Sequence, residues 1–553
     1  MNSHPDTIGE TSNIAEWISF QAAQRPYQRA LVFPEARDQK RRRCYSQLNF
    51  QQTESMINRF ARGFQEKGIQ KGDRVCVFVT LCLEFMPIVF ALYKIGAIVV
   101  LIDPGMGRNG LLSCVERIEP VAMVGVPKAM IATTLFPKKF RSVKLKITVG
   151  GGSWIWGGFT LQEVESQDDS PIEISTTLDD EASILFTSGS TGPAKGVRYT
   201  HRILDSQTRQ IRDLYGIEAG EIDFPCFPLF GLFTLAHGLT VVIPEMDPTK
   251  PAEADPEILV EAILDQGCTS AFASPALWKN FAKYCLEKNI KLPSIKRILS
   301  AGAPIPTQLH HDFQQIVSEG VEIFTPYGAT ESLPVASIGS IDVLTETAAL
   351  TNQGAGTCVG FPVPEITVEI IQIADDVIAK WSDELRLKQG EIGEICVKGL
   401  VVTTEYKEEP EKTAMAKIYQ EGEVWHRMGD VGYFDEKGRL WFCGRKSHRV
   451  SLKDGRTLFP VPCEAIFNQH ELVARTALVG VEGEAILIVE TKGKLSNFQQ
   501  KELEDELLKL AKQDRLTADI QKVLYHPSFP VDVRHNAKIH RPDLAVWAKG
   551  LLA

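Results

Sequence analysis

The sequence predicts an α/β fold whose parallel sheets are covered by helices on both faces. The predicted strands at 75–79 and 98–102 are almost continuously apolar, which is typical of strands buried on both sides. A helical stretch at 84–95 lies between them, and strand–helix–strand order joins parallel neighbours. The stretch 85–102 contains Lys94, so it predicts a buried helix and strand rather than a membrane span, which needs about 20 apolar residues.

The remaining elements of the first half follow the same alternation. The helix predicted at 55–66 places Met56, Ile57, Phe60 and Phe64 on one face. A polar stretch at 165–180 predicts a linker or surface loop before a strand at 182–186. Beyond it, helices and strands are predicted in turn at 258–264, 269–272, 274–286 and 295–299.

The last third of the chain changes character. Short strands predicted at 367–371, 393–397 and 439–442 indicate a β-rich lobe at about 365–444, which completes a large N-terminal domain at 1–444. The more polar remainder, 445–553, is long enough for a small α+β domain.

This C-terminal domain is predicted to contain two strands and one helix. The strands are at 476–479 and 485–489, and the helix is at 500–512. The helix is expected to bury Leu503, Leu507 and Leu510, which are spaced by four and three residues.

Composition excludes several classes of protein. The 553 residues carry 60 Lys and Arg against 70 Asp and Glu, a net charge of −10, which argues against nucleic-acid binding. The 11 cysteines are scattered singly with no Cys-x2-Cys pair, so zinc and thioredoxin-like sites are not expected. The polar start at 1–10 does not resemble a signal peptide, so we expect a cytoplasmic protein without transmembrane segments.

A candidate phosphate-binding loop follows the strand at 182–186. Its glycines let backbone N–H groups approach an anion, its hydroxyls can donate to phosphate oxygens, and Lys195 adds a positive charge. The spacing does not match the Gly-x4-Gly-Lys-Ser/Thr of P-loop kinases and GTPases; an ordinary surface loop is the alternative. The candidate residues are Thr187, Ser188, Gly189, Ser190, Thr191, Gly192 and Lys195.

This loop resembles the phosphate loop of the adenylate-forming superfamily, which includes acyl-CoA synthetases, luciferases and nonribosomal peptide synthetase adenylation domains. Pro193 stands one place earlier than in the family pattern. Other segments resemble the superfamily's motifs in the same order, so that the resemblance spans roughly residues 15–548. These segments are 92–97, 300–304, 327–331, 393–399, 425–430, 444–446 and 536–539. The resemblance implies a large adenylation domain followed by a mobile C-terminal lid.

The resemblance also implies ATP and Mg²⁺ as cofactors and assigns roles around the phosphates. Glu331 would coordinate Mg²⁺, a hard cation that prefers carboxylate and phosphate oxygens, and Thr330 would bind the α-phosphate. Lys538 would bridge the substrate carboxylate and the α-phosphate, which lowers the charge repulsion of the attack. Ser190, Thr191 and Lys195 would hold the departing pyrophosphate.

A second set of residues is implied for the adenosine. Tyr327 would lay its ring against adenine, Asp430 would bind the ribose hydroxyls, and Arg445 would reach the same ribose. A core tyrosine, a turn aspartate and a surface arginine are the ordinary alternatives. Residues in the same motifs complete the set: Gly302, Ala303, Pro304 and Gly328.

The predicted acyl pocket departs from the family pattern. The segment contains Leu229, Phe230, Gly231, Leu232 and Phe233; the glycine leaves room and the other four supply apolar walls, which fits a bulky apolar acid. Ordinary core packing is the alternative. The segment has no acidic residue to pair with an amino group, so an amino-acid substrate is not favoured.

Departures at the hinge and the C-terminus bear on the second half-reaction. Ser447 stands where the superfamily usually has Asp or Lys, which makes the use of CoA doubtful. The segment 532–539, together with 103–105 and 444–447, resembles the olefin-biosynthesis branch, whose members are β-lactone synthetases. That branch adenylates a 2-alkyl-3-hydroxy fatty acid, and the 3-hydroxyl then displaces AMP without CoA in a proximity-favoured step.

Three functions are therefore weighed. The first is β-lactone synthesis, and the second is long-chain acyl-CoA or acyl-AMP ligation. The third is an inactive nucleotide- or lipid-binding relative, which only Pro193 and Ser447 support. The resemblance implies a small-molecule fatty or 2-alkyl-3-hydroxy acid as substrate, with a thiolase-like condensing enzyme and a reductase as possible partners.

Overall fold

The computed structural model describes residues 9–187, 194–531 and 539–552. Two large sheets flanked by helices form the N-terminal part, and a small sheet with three flanking helices forms the C-terminal part. This arrangement confirms the predicted α/β fold with a large N-terminal and a small C-terminal domain. The exact boundary predicted at 444/445 stays a prediction.

The first sheet is parallel except for its last pair of strands, which is antiparallel. Because parallel strands end at the same edge of a sheet, the strand ends at residues 102, 125, 148 and 187 share one edge, where α/β folds commonly bind ligands. In spatial order the strands are Phe159–Thr160, Leu145–Thr148, Ala122–Gly125, Arg74–Phe78, Ile98–Ile102, Glu181–Thr187 and Lys195–Thr200.

The second sheet joins the predicted β-rich lobe to a parallel core. Thr357–Pro362 is hydrogen-bonded to Leu440–Arg445 on one side and to Ser332–Gly339 on the other, so the lobe continues the sheet rather than standing apart. In spatial order the strands are Thr367–Ile371, Gly393–Lys398, Glu423–Phe434, Leu440–Arg445, Thr357–Pro362, Ser332–Gly339, Glu322–Ala329, Arg297–Ser300, Ser270–Ala273, Ile222–Pro225, Thr240–Val242, Arg29–Arg37 and Arg43–Asn49, with Lys417–Gln420 paired to Glu423–Phe434.

Helices cover both faces of the two large sheets. The α-helices are Glu16–Gln24, Phe50–Glu66, Phe85–Lys94, Gly107–Ile118, Pro127–Leu135, Leu161–Val164, His201–Tyr215, Pro228–Ala236, Pro256–Gln266, Pro275–Glu287, Thr307–Gln314, Ser340–Asp342, Ala348–Leu350, Pro410–Ala416, Pro460–Phe467, Asn497–Gln513 and Arg541–Leu552. Short 3₁₀ turns lie at Pro104–Met106, Pro251–Glu253, Asp383–Leu385 and Lys446–His448, and π-helical turns at Val343–Thr347 and Thr351–Ala355.

Local chemistry explains where one of these helices begins and how another, buried helix accommodates a lysine. The helix predicted at 55–66 begins earlier, at Phe50, because Asn49 and Gln52 form a capping box. The helix Phe85–Lys94 is buried along its whole length, and Lys94 is accommodated by an ion pair with Glu54. Within the described ranges, no helix is long and apolar enough to span a membrane.

The C-terminal part packs its own core. A three-stranded sheet combines Val473–Val481, Glu484–Thr491 and Ile520–Tyr525, and Val450–Ser451 pairs with Thr457–Leu458. The helix Asn497–Gln513 buries Leu503 and Leu507 as predicted. Leu510 is only partly buried, and Ala511 takes the third buried position. Because an α-helix has about 3.6 residues per turn, Ala511, four residues after Leu507, lies closer to the buried face than Leu510, three residues after it.

One buried carboxyl group lies close to the predicted acyl segment. Asp223, in the strand Ile222–Pro225, is 1% exposed, and it accepts a hydrogen bond from Ser270 Oγ at 2.6 Å. Burial raises the pKa of Asp223 from its ordinary 3.8 to about 6, and the hydrogen bond from Ser270 opposes this rise. Burial therefore raises the free energy of the ionised form of Asp223 relative to that of an exposed carboxylate.

We expect Asp223→Asn to become more stabilising, relative to wild type, as pH rises. The raised pKa makes Asp223 favour the folded state at low pH, and this contribution is lost as pH rises through about 6. The difference in unfolding free energy should shift by about 3 kcal/mol in favour of the variant between about pH 3 and pH 7. Urea unfolding at several pH values measures it; a difference independent of pH would contradict the shifted pKa.

Candidate active site

A tight hairpin in the second sheet presents Thr330 and Glu331. Ala329 pairs with Ser332 across the two antiparallel strands, so Thr330 and Glu331 form the two-residue turn. Gly328 has to be glycine here, because a Cβ atom would lie 2.5 Å from the Ser332 carbonyl oxygen. Tyr199 Oη donates to the Thr330 carbonyl oxygen, so the last strand of the first sheet holds the turn.

Tyr406 connects Glu331 to the lysine of the phosphate loop. Its hydroxyl donates to Glu331 Oε1 at 2.6 Å, and Lys195 Nζ lies 4.6 Å from the centroid of its ring, within cation–π range. Burial lowers the pKa of Lys195, while the nearby Glu331 carboxylate raises it. The structure thus brings together two predicted residues through a third that the sequence analysis missed.

A second lysine lies behind Tyr406. Lys417 is 1% exposed, and its ammonium group donates to the carbonyl oxygen of Thr403 and, at 3.3 Å, to Thr403 Oγ1. Burial lowers the pKa of Lys417 to about 7. The Thr403 N–H in turn donates to the Glu331 carbonyl oxygen at 2.9 Å, so Lys417 stabilises the hairpin through Thr403.

The segment that carries Tyr406 is fixed to the strand after the phosphate loop. Tyr406 forms a bridge with Val197. The Lys407 N–H donates to the Gly196 carbonyl oxygen at 2.7 Å, and Lys407 Nζ contacts Glu181 Oε2 at 2.7 Å. No motif pointed to Tyr406 or Lys417, because their role depends on this pairing between segments far apart in the chain.

Three residues predicted to bind adenosine lie together. Asp430 and Arg445 are cross-strand partners, with Arg445 Nη1 2.9 Å from Asp430 Oδ1. Tyr327 Oη donates to Asp430 Oδ2 at 2.7 Å, and its ring lies 6.1 Å from that of Phe442. Burial raises the pKa of Tyr327, and the Asp430 carboxylate raises the pKa of Arg445.

The predicted adenine-side loop lies beside Tyr327. Leu299 pairs with Phe324 in parallel strands, so Gly302 and Tyr327, each three residues further on, come to the same edge of the sheet. Gly302 has φ +99°, which favours glycine. Gly302 and Pro304 are exposed and Ala303 is half-buried.

Most residues of the predicted phosphate loop, and Lys538, cannot be placed in this site. The first residue of the loop, Thr187, pairs through its backbone with Lys195, so both ends of the loop are fixed. Ser188, Gly189, Ser190, Thr191, Gly192 and Lys538 lie outside the described residues. In the part of the chain that is described, no three His, Cys, Asp or Glu side chains cluster as a metal site.

The predicted acyl segment forms the helix Pro228–Ala236. Phe230 stacks on Phe272 at 4.4 Å between ring centroids, and Leu229 and Phe233 are half-buried. Gly231 does not open free space as expected, because a Cβ atom there would lie 2.5 Å from Met86 Cε. A bulky acyl chain would have to displace the Met86 side chain, which is flexible.

The predicted hinge residue, Ser447, is exposed in the turn Lys446–His448. Its neighbour Lys446 places Nζ 3.1 Å from Glu394 Oε1. Glu394 also forms an ion pair with Arg427 at 2.7 Å, and both side chains are 1% exposed. The chain is therefore anchored to the second sheet immediately before Ser447.

Comparison with known proteins shows which family and which enzymes the chain is similar to. The profile of the AMP-binding enzyme family matches residues 18–407. An olefin beta-lactone synthetase of Xanthomonas campestris pv. campestris is 41% identical over 97% of this chain and 97% of its own length. An olefin beta-lactone synthetase of Stenotrophomonas maltophilia is 43% identical over 91% of this chain and 92% of its own length.

Solved structures support the fold. The amide bond synthetase McbA from Marinactinospora thermotolerans aligns with a TM-score of 0.78 at 20% identity, over 97% of this chain and 99% of that one. The O-succinylbenzoate Coenzyme A Synthetase MenE from Bacillus subtilis, in complex with AMP, aligns with a TM-score of 0.73 at 20% identity, over 97% and 98%. At this level of identity the likeness concerns the fold alone.

We expect Tyr327→Phe to destabilise the protein more than Tyr433→Phe. Tyr327 donates to a carboxylate that is 4% exposed, and removing a donor from a buried charged group costs about 1.5–3 kcal/mol. Tyr433 donates to the neutral carbonyl oxygen of Ala355 at 2.9 Å, so its removal should cost about 1 kcal/mol. Denaturant unfolding of both variants provides the comparison; equal losses would argue against a charged acceptor at Asp430.

Proposed function

The chain belongs to the AMP-binding enzyme family, and on that premise we propose that it converts a 2-alkyl-3-hydroxy fatty acid into a β-lactone at the expense of ATP. The observation that carries this proposal is the identity of 41% and 43% to two proteins named olefin beta-lactone synthetases. In the first of these the match extends over 97% of both chains, so it covers the hinge and most of the C-terminal part.

The proposed reaction has two steps. In the first, a carboxylate oxygen of the substrate attacks the α-phosphorus of ATP and pyrophosphate leaves, which gives an acyl-adenylate. In the second, the 3-hydroxyl oxygen attacks the acyl carbon and loses its proton, and AMP leaves with the electrons of the acyl–oxygen bond. The hydroxyl is tethered to the carbonyl it attacks, so its effective concentration far exceeds that of a free thiol.

Glu331 fits a role in holding Mg²⁺. Mg²⁺ is usually bound through one or two carboxylates together with substrate phosphates and water, and the described residues offer a single carboxylate at the hairpin rather than a cluster. When bound, the ion would neutralise phosphate charge. The hydrogen bond from Tyr406 fixes one carboxylate oxygen of Glu331 and leaves the other for the ion.

The adenosine would bind beside Asp430. The carboxylate of Asp430, which is held by Tyr327 and Arg445, is the type of group that binds the two hydroxyls of a ribose. Thr330 lies one residue before Glu331 on the same turn and would bind the α-phosphate. Lys195 supplies a positive charge at the end of the phosphate loop.

The second candidate is a long-chain acyl-CoA ligase. It is supported by a long-chain-fatty-acid–CoA ligase of Mycobacterium tuberculosis that is 24% identical over 85% of this chain. This identity is much lower than that of the two lactone synthetases.

In either reaction Lys538 is proposed to neutralise the carboxylate during adenylation, as charged groups do at developing charge.

A single experiment separates these functions. The protein is incubated with ATP, Mg²⁺ and a 2-alkyl-3-hydroxy fatty acid, with and without CoA, and the products are identified by mass spectrometry. We expect a product lighter than the acid by one water, formed without CoA. The matched acid that lacks the 3-hydroxyl should stop at acyl-AMP. Accumulation of an acyl-CoA thioester from both acids would replace the lactone function with ligation, and no pyrophosphate release would indicate an inactive relative.

We expect Glu331→Gln to reduce Mg²⁺-dependent pyrophosphate release without unfolding the protein. The amide oxygen can still accept the hydrogen bond from Tyr406, but the charge that a hard cation requires is lost. The rate should fall about 10²–10³-fold, with a higher Mg²⁺ concentration at half-maximal rate. Tyr406→Phe is the matched variant, because it keeps the charge and removes only the hydrogen bond. A large loss of thermal stability in Glu331→Gln would instead assign Glu331 a structural role.

A further inference from the structure

Arg117 contacts the chain on both sides of the predicted phosphate loop. It stands in the last turn of the helix Gly107–Ile118. Its Nη2 donates to the Ala194 carbonyl oxygen at 2.6 Å, and its guanidinium carbon lies 5.1 Å from the centroid of the Phe186 ring, within cation–π range. Ala194 lies just before one strand of the antiparallel pair and Phe186 near the end of the other. One side chain therefore joins both strands to the helix.

The same guanidinium binds an acidic residue close to Tyr406. Arg117 Nη1 donates to Glu409 Oε1, and the Glu409 side chain is 9% exposed. The Glu409 N–H donates to the Tyr406 carbonyl oxygen at 3.2 Å, so both residues belong to one turn. An arginine can serve a ring, a carbonyl and a carboxylate together, because its guanidinium has a flat face and several fixed donors. Arg117 thereby connects this turn to the chain beside Lys195.

Both polar contacts of Arg117 act on Lys195. The Ala194 carbonyl belongs to the planar peptide group that includes the Lys195 Cα atom, so a hydrogen bond at its oxygen also fixes that atom. Burial lowers the pKa of Lys195, and the carboxylates of Glu331 and Glu409 raise it, so Glu409 is close enough to attract its ammonium group. Glu409 is paired with Arg117 and with Lys412. Its charge is therefore balanced by partners other than Lys195.

We propose that Arg117 is a positioning residue for nucleoside triphosphate binding, which fixes the main chain at Lys195 and keeps Glu409 paired so that the Lys195 ammonium group stays available to the β- and γ-phosphates. This role rests on the proposed function, in which Lys195 supplies positive charge for the phosphates. Without Arg117, the Glu409 carboxylate would compete with the phosphates for Lys195 and repel them. Arg117 itself needs no contact with the nucleotide.

Arg74 provides a matched control. Its Nη1 donates to the Ile118 carbonyl oxygen at 2.7 Å and to Glu408 Oε1 at 2.9 Å. Like Arg117, it therefore binds one main-chain carbonyl and one acidic residue of the same turn, and both arginine side chains are 28% exposed. Among the described residues, Arg74 has no hydrogen bond to the chain beside the phosphate loop. Its loss removes a similar ion pair and leaves the surroundings of Lys195 intact.

Calorimetric titration of the full-length protein with ATP and with AMP, in the presence of Mg²⁺, tests the proposal. Arg117→Met should weaken ATP binding about tenfold or more, as loss of a residue that orients a ligand-binding group does at metal sites. AMP has no β- or γ-phosphate, so its affinity should be unchanged. Arg74→Met should bind both nucleotides as wild type does. In Arg117→Met/Glu409→Gln the competing charge is gone, and part of the ATP affinity should return.

Three results would overturn the proposal: unchanged ATP binding in Arg117→Met, an equal loss of ATP and AMP binding in that variant, or the same loss of ATP binding in Arg74→Met. An absence of recovery in the double variant would overturn the part assigned to Glu409. If Arg117→Met does not fold, Arg117→Lys takes its place. A lysine keeps the charge but not all three contacts, so a smaller selective loss of ATP binding is expected, and none would overturn the role.

The proposed function can fail separately from this inference. Wild type that binds ATP but forms no lactone would contradict the proposed reaction and leave the role of Arg117 standing. Wild type that binds AMP but not ATP would contradict both.

Discussion

The candidate site depends on the contact between the last strand of the first sheet and the hairpin of the second. Tyr199 in this strand donates a hydrogen bond to the main chain of Thr330. Tyr406, in a segment bridged to the same strand, donates one to the side chain of Glu331. Each of the two sheets carries only part of the candidate site: one contains Lys195, and the other presents Thr330, Glu331 and the residues proposed to bind adenosine. These hydrogen bonds fix the position of the hairpin relative to the strand that begins with Lys195.

The elements near the site could be predicted because their signals are local. The strand Ile98–Ile102 has the predicted bounds, since five consecutive apolar residues bounded by Asp103 leave no other choice. The hairpin with Thr330 and Glu331 was predicted only as a motif, but Gly328 gives it a physical reason. Asp430 and Arg445 meet because they stand opposite each other in neighbouring strands. The motifs predicted that both residues serve one site, whereas composition gives no such indication.

The rest could not be predicted, because it depends on contacts between distant segments. Lys417 looks like any lysine in the sequence; its burial follows from the return of the segment at 403–407 to the strand Lys195–Thr200. Gly231 suggested an open pocket, yet the space is taken by Met86, more than a hundred residues earlier. A sequence pattern indicates which side chains are apolar. The free volume between these side chains also depends on which distant segments pack against them.

The order of strands in the second sheet has a consequence for how the protein is made. The first sheet uses a nearly contiguous part of the chain, from Arg74 to Thr200, and can assemble as soon as that part has left the ribosome. The strand Arg29–Arg37, by contrast, pairs with Thr240–Val242, so that Val32 meets Val242. Until that later strand is synthesised, the early hairpin exposes an unpaired edge, and such long-range pairing is slow and prone to aggregation. The N-terminal hairpin is therefore a part of the nascent chain that a chaperone would protect until the strand Thr240–Val242 has been made.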